Sequence, residues 1–276
     1  MLSILLAALS AGVWGTGDFS GGKASQKADP FAVTLISQVF GLPILLLCLL
    51  VFSDGFPGAG VLGRGAIAGA AGFIGIVLLY RGLSRGVMAI FAPVSAVTAA
   101  VVPMIVGLVT EGRPGTIPLI GACCAIAAIG LVSITGSGGK VTPGLIGLAL
   151  ASGTMFGIFF AVLGKSGEHT GMWPLLGVRI GSVGLGVIAA LARRTHLRLT
   201  GTPLRWTAVA GVFDIVANAL FLLAAAHGEL TLVAPIASLY PVSTVLLALG
   251  VDHERVRPVQ LAGLGLAATA LVLVAS

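Results

Sequence analysis

Apolar runs alternate along the chain with short turn-like breaks, and each run is close to the ~20 residues an apolar helix needs to cross a bilayer. The pattern predicts spans over 2–20, 31–53, 65–83, 87–109, 116–135, 144–163, 172–192, 206–226, 230–250 and 259–275. The breaks include Lys27-Ala28-Asp29-Pro30, Ser53-Asp54-Gly55-Phe56-Pro57, Gly136-Ser137-Gly138-Gly139-Lys140 and Arg193-Arg194-Thr195-His196. The first run starts at Leu2 with no basic segment before it, so it reads as a span rather than a cleaved signal. The expected class is an all-α membrane protein of ten transmembrane helices.

One offset, 142 residues, aligns the two halves of the chain. It places Ser10 on Ser152, Gly15 on Gly157, Lys23 on Lys165, Gly69 on Gly211, Ala92-Pro93 on Ala234-Pro235 and Gly121 on Gly263. Two five-helix units follow, 1–137 and 143–276. Five is odd, so the second unit enters the membrane upside down, and two inverted repeats are predicted. Transporters of that construction place their sites at matched interrupted helices. Spans four and nine are the expected pair, broken by Pro93 and Pro103 and by Pro235 and Pro241.

Composition fits a lipid-facing surface. The 276 residues are 57% hydrophobic and 9% charged, with mean hydropathy +1.12; a soluble domain carries about 25% charged residues. Forty-one glycines suit close helix packing, as at Gly17 and Gly21, Gly153 and Gly157, and Gly177 and Gly181. Cys48, Cys123 and Cys124 have no paired spacing, so no disulfide framework, metal site or cofactor is expected. The net charge of +6 sits on single residues between apolar runs, which points to membrane topology and not to nucleic acid. Three basic residues fall on the side of the termini and eleven on the other, a bias that places both termini outside a cell (cytoplasmic) membrane.

Charged and polar groups at membrane depth usually face the protein interior. Arg179 lies in span seven; Asp214 and Asn218 lie one turn apart in span eight, at the matching depth of an antiparallel neighbour. An Arg179–Asp214 ion pair is predicted, either as a staple between helices or as a group that meets substrate or a coupling proton. Asp18 follows Trp14 by one turn and reads as a partner of Lys23 or a cavity-mouth residue. Gln38, Tyr80 and Tyr240 are further polar groups in spans two, three and nine, Tyr240 standing between Pro235 and Pro241. Glu111 and Glu254 are expected to pair with Arg113, Arg255 and Arg257 or to cap the next helix. Spans five and ten are nearly devoid of polar side chains and are expected at the periphery, facing lipid or a second subunit.

These features resemble the EamA family of the drug/metabolite transporter superfamily over the whole chain. The resemblance is carried by Trp14-Gly15-Thr16-Gly17-Asp18-Phe19, by Ala92-Pro93-Val94-Ser95-Ala96-Val97 reaching Glu111-Gly112-Arg113-Pro114, and by Ala234-Pro235-Ile236-Ala237-Ser238-Leu239-Tyr240-Pro241 reaching Glu254-Arg255. Asp252-His253-Glu254 departs from the family's small residues before the glutamate. The resemblance implies ten helices around a central cavity lined mainly by spans other than five and ten. It also implies export or uptake of amino acids, metabolites or drugs, in a family often drawn with cytoplasmic termini. A non-enzymatic secondary transporter, an exporter of small metabolites, amino acids or drug-like solutes by alternating access, is the leading expectation. Its partners would be a small-molecule substrate, the bilayer and a coupling proton, as a monomer or a homodimer through spans five and ten. The alternatives are a membrane-embedded lipid-modifying enzyme, for which no acid/base cluster is visible, and a channel, for which no ring of like charges is visible.

The charge bias makes a direct prediction. Arg198→Cys, on a background lacking the three native cysteines, is expected to resist an impermeant maleimide added outside intact cells, and labelling there would reverse the orientation.

Overall fold

The computed structural model describes residues 1–52, 55–83, 88–134, 142–166, 170–195, 197–252 and 257–275. Twelve helices occur among them: α1 (Leu2–Ser25), α2 (Pro30–Phe40), α3 (Leu42–Phe52), α4 (Ala59–Leu83), α5 (Met88–Thr110), α6 (Thr116–Val132), α7 (Pro143–Gly164), α8 (Trp173–Arg193), α9 (Gly201–Ala226), α10 (Leu230–Ala237), α11 (Tyr240–Asp252) and α12 (Pro258–Ala275). No strand occurs among the described residues. Seven segments are long and apolar enough to cross a membrane, with α2 and α3 counted as one; parts of α5 and of α10–α11, and α6, form three shorter apolar helices. The chain is an all-α multi-pass membrane protein.

One of the two expected interruptions, that of span nine, is present, and the other is found in span two instead of span four. The predicted second span is broken at Gly41, because Pro43 has no N–H to donate to Val39 and its ring crowds that carbonyl. The predicted ninth span breaks between Ala237 and Tyr240, where Pro241 removes the donor that Ala237 would have received. Span four, expected to be broken like span nine, is instead one continuous helix through Pro93 and Pro103. A proline within a long helix therefore did not suffice to split it.

Helices meet at glycines. Gly177 and Gly181 on α8 lie against Leu62, Gly65 and Ala66 on α4, so close that an added Cβ at Gly181 would overlap the Ala66 carbonyl. Lipid provides no hydrophobic drive between helices, so such backbone approach supplies the van der Waals contact instead. The most extensive packings join α1 to α9, α4 to α8, α6 to α12, α5 to α7 and α4 to α7. The predicted peripheral spans five and ten, α6 and α12, thus pair with each other, while their far faces expose Ile117, Ile120, Leu261 and Val272.

Contacts recur at the offset of the sequence repeat. Ser10 donates its hydroxyl to the Ala217 carbonyl at 2.8 Å, and Ser152 donates to that of Gly75 at 2.9 Å. Gly121 packs on Val274 as Gly263 packs on Val132, and Gly15 on Thr244 as Gly157 on Val102. Each contact links a residue of one half to a residue of the other, and its counterpart exchanges the two halves.

Ser3 meets Gly228, and Gly164 meets Leu230, at one end of the bundle, here the terminal end. Lys27 and Arg198 line a shared surface pocket at the other, the loop end, with Asp29 and Thr200. Gly181→Val is expected to cost about 1–3 kcal/mol, the usual penalty of overpacking. Gly184→Ala, on an open face of the same helix, should be neutral when both are unfolded in mixed detergent micelles.

Candidate functional site

The two helix breaks place polar groups against the bundle interior. Gly41, at the α2–α3 break, lies so close to α9 that an added Cβ would come within 3.0 Å of the Gly211 carbonyl and of Arg179 Nη2. The missing side chain there lets Arg179 reach across from α8. Its Nη2 donates to Asp214 Oδ2 at 2.6 Å, and its Nη1 donates to Gln38 Oε1. Ser182 donates to the same Gln38 oxygen at 3.1 Å. Asn218 Nδ2 donates to the Asp214 carbonyl at 2.7 Å and to Asp214 Oδ1 at 3.1 Å.

The predicted ion pair forms, and it ties α2, α8 and α9 together. Arg179 is 3% exposed, whereas the Asp214 side chain is 30% exposed. The guanidinium is therefore held behind the carboxylate, which faces accessible space. Two polar atoms here have no partner among the described residues, Arg179 Nε and Asn218 Oδ1.

Asp18 is different. It is exposed although it lies on the face of α1 that carries the buried Ala7, Ala11 and Trp14, the face turned to the bundle. It stands within electrostatic reach of Asp214, and Tyr240 stands within reach of Asp18. No hydrogen-bond or ion-pair partner of Asp18 occurs among the described residues. The expected Lys23 partner is displaced: its Nζ sits over the Phe19 ring, 5.4 Å from the centroid. Asp18 faces the interior, one turn from Trp14, while Lys23 projects toward the helix end.

Trp14 belongs to an aromatic cluster that the sequence did not assemble. Its ring lies 5.1 Å from Phe160, 5.9 Å from Phe221 and 6.4 Å from Phe159, centroid to centroid. All four rings are buried. The repeat sets Trp14 opposite Phe156 and carries no signal for its contact with Phe159, Phe160 and Phe221.

α11 begins at Tyr240, directly over Gly15 of α1, where Thr244 Oγ1 donates to the Gly15 carbonyl at 3.2 Å. Pro235 is buried within α10 and Tyr240 is half-buried at the break. The structure thus gathers Trp14, Asp18, Gln38, Arg179, Asp214, Asn218 and Tyr240 about the bundle interior. The side chains of Tyr80 and Pro93 lie outside the described residues, as does Glu254.

Glu111 does not pair with Arg113 as expected. It crosses to the other half, where Oε1 accepts from Lys165 Nζ at 2.5 Å and Oε2 accepts from the Leu230 N–H at 2.7 Å. That oxygen satisfies an open donor in the first turn of α10, not of the helix that follows Glu111. The chain turns away after Gly112, whose φ of +92° suits glycine, so Arg113 points elsewhere.

The model of the EamA-like transporter family matches this chain twice, over residues 1–134 and 144–276. No curated protein matches it. A solved structure titled only as a crystal structure of a protein shares the fold, with TM-score 0.83 at 13% identity over 99% of this chain and 98% of that one.

Removing one member of a buried ion pair leaves the other uncompensated, at a typical cost of about 3–5 kcal/mol. Asp214→Leu is expected near the low end of that range, because its carboxylate is partly exposed. The double variant Arg179→Met, Asp214→Leu should recover most of the loss in the same micelle unfolding assay.

Proposed function

We propose that this chain, which belongs to the EamA-like transporter family of the drug/metabolite transporter superfamily, is a secondary transporter of small solutes that works by alternating access. The observation that carries the reading is the reciprocity of contacts between the halves, set by the Ser10–Ala217 and Ser152–Gly75 hydrogen bonds. Two five-span units related in this way are inverted in the membrane, giving ten transmembrane helices in all. Exchanging the conformations of the two units would carry an interior site from one face to the other.

The present arrangement supports a conformer closed at the terminal end. Glu111 joins α5 to Lys165 after α7 and to the start of α10 there, with the aromatic cluster on its interior side. Asp18 and Asp214 lie on the loop-end side of that cluster. Asp214 is engaged at both oxygens, so Asp18 is the acid left available to a coupling cation or proton. The family's activity favours transport over lipid chemistry, and the solutes are metabolites, amino acids or drug-like compounds moved by export. Lining by Trp14, Gln38, Tyr80, Pro93, Arg179, Asn218, Pro235 and Tyr240 is part of the same proposal, as is pairing of subunits through α6 and α12.

The purified protein in proteoliposomes is expected to give saturable counterflow of at least one solute from a panel of amino acids, nucleosides, sugars and organic amines. Silence across the panel would count against transport. Glu111→Gln should speed labelling of a cysteine placed at the terminal end by up to about fivefold, since a partly exposed pair contributes up to about 1 kcal/mol. Unchanged labelling would remove Glu111–Lys165 as a latch.

A further inference from the structure

The interior site has a chemical bias that the scaffold does not require. Its described walls carry two carboxylates, Asp18 and Asp214, and one cation, Arg179. That cation gives its two terminal nitrogens to Gln38 and Asp214, and at 3% exposure it is shielded from the accessible space. One carboxyl group, that of Asp18, is left without an ion-pair partner among the described residues. Lys23 makes no ion pair with it; its Nζ lies over the Phe19 ring.

A second observation specifies the kind of cation. Asn218 is 2% exposed and spends its amide donors on Asp214, while its Oδ1 accepts nothing. A buried acceptor without a donor costs free energy until a ligand or water supplies an N–H or O–H. Asn218 stands one turn from Asp214 and is bonded to it, so the open acceptor lies just behind the Asp214 carboxylate.

The axial order of residues then sets the ligand's shape. On α1 the order from the terminal end is Trp14 then Asp18; on antiparallel α9 it is Phe221, Asn218, Asp214. Both helices therefore present aromatic surface toward the terminal end and acceptors toward the loop end. Trp14 and Asp18 are separated by one helical turn, about 5–6 Å. That spacing suits an aryl group joined to nitrogen by a short alkyl chain. Aromatic faces also attract cations, which adds to the preference.

We propose that the site binds a primary or secondary organic ammonium with an aromatic or apolar body, its nitrogen at Asp18, Asp214 and Asn218 Oδ1 and its body on the Trp14 floor. The inference rests on the transporter reading and names its substrate class. An amino acid of the same size is disfavoured, because its carboxylate would enter beside Asp18 and Asp214 with Arg179 out of reach.

The test is binding of phenethylamine, phenylalanine and phenylacetate to the purified protein in nanodiscs. Phenethylamine is expected to bind at least tenfold more tightly than phenylalanine, and phenylacetate not to bind. Asp18→Asn, which removes no hydrogen bond seen among the described residues, should weaken phenethylamine at least tenfold with an unchanged melting temperature. Asn218→Leu should weaken phenethylamine more than its N,N,N-trimethyl analogue, which has no N–H to give. Equal or tighter binding of phenylalanine or phenylacetate overturns the proposal, as does absence of phenethylamine binding or indifference to Asp18→Asn. Binding of the amine with no solute moved in proteoliposomes would keep this inference and remove the transporter reading. Counterflow of another solute class without amine binding would do the reverse.

Discussion

Close approach of helix backbones in a medium that gives no hydrophobic drive between them is the constraint on which this bundle rests. Gly181 against Ala66, Gly69 against Val178 and Gly211 against Ser37 bring main chains together where any side chain would hold them apart. Those contacts fix the spacing of α4 with α8 and of α2 with α9. They thereby fix the reach of Arg179 across Gly41 to Asp214. Without that approach the guanidinium would stop short of its partner, and a buried charge would be left unpaired.

The two halves share a scaffold and divide the chemistry. Contacts that shape the frame are matched across the repeat, including both serine-to-carbonyl bonds. The site residues are not. At the same offset Asp18 faces Phe160, Gln38 faces Ile180, Ser37 faces Arg179, Gly72 faces Asp214 and Ile76 faces Asn218. In the proposed transport cycle an exchange of conformations would need matched packing, which the symmetric frame supplies. The proposed recognition of one end of a solute would need unlike walls, and charged and aromatic groups are separated along the bundle axis.

The interruption of helices follows the same division. Pro43 and Pro241 open α2–α3 and α10–α11 beside Gly41 and Gly15, where polar side chains enter the interior. Pro93 and Pro103, by contrast, leave α5 continuous. A proline removes one hydrogen bond in each setting; whether the helix then parts depends on what lies against the freed carbonyl.

Hydropathy and the 142-residue offset determined, from the chain alone, the helical class, the approximate spans and the pairing of Arg179 with Asp214. These are properties of local composition and helical depth, which linear spacing records. Tertiary structure decided the rest. It moved Glu111 from Arg113 to Lys165 and Leu230, turned Lys23 away from Asp18, and assembled Trp14 with Phe159, Phe160 and Phe221. It also placed the break at Gly41 and not in span four. Each of these depends on which face of a helix meets which neighbour, and that rotation is set by packing between distant segments, which no spacing within one segment encodes.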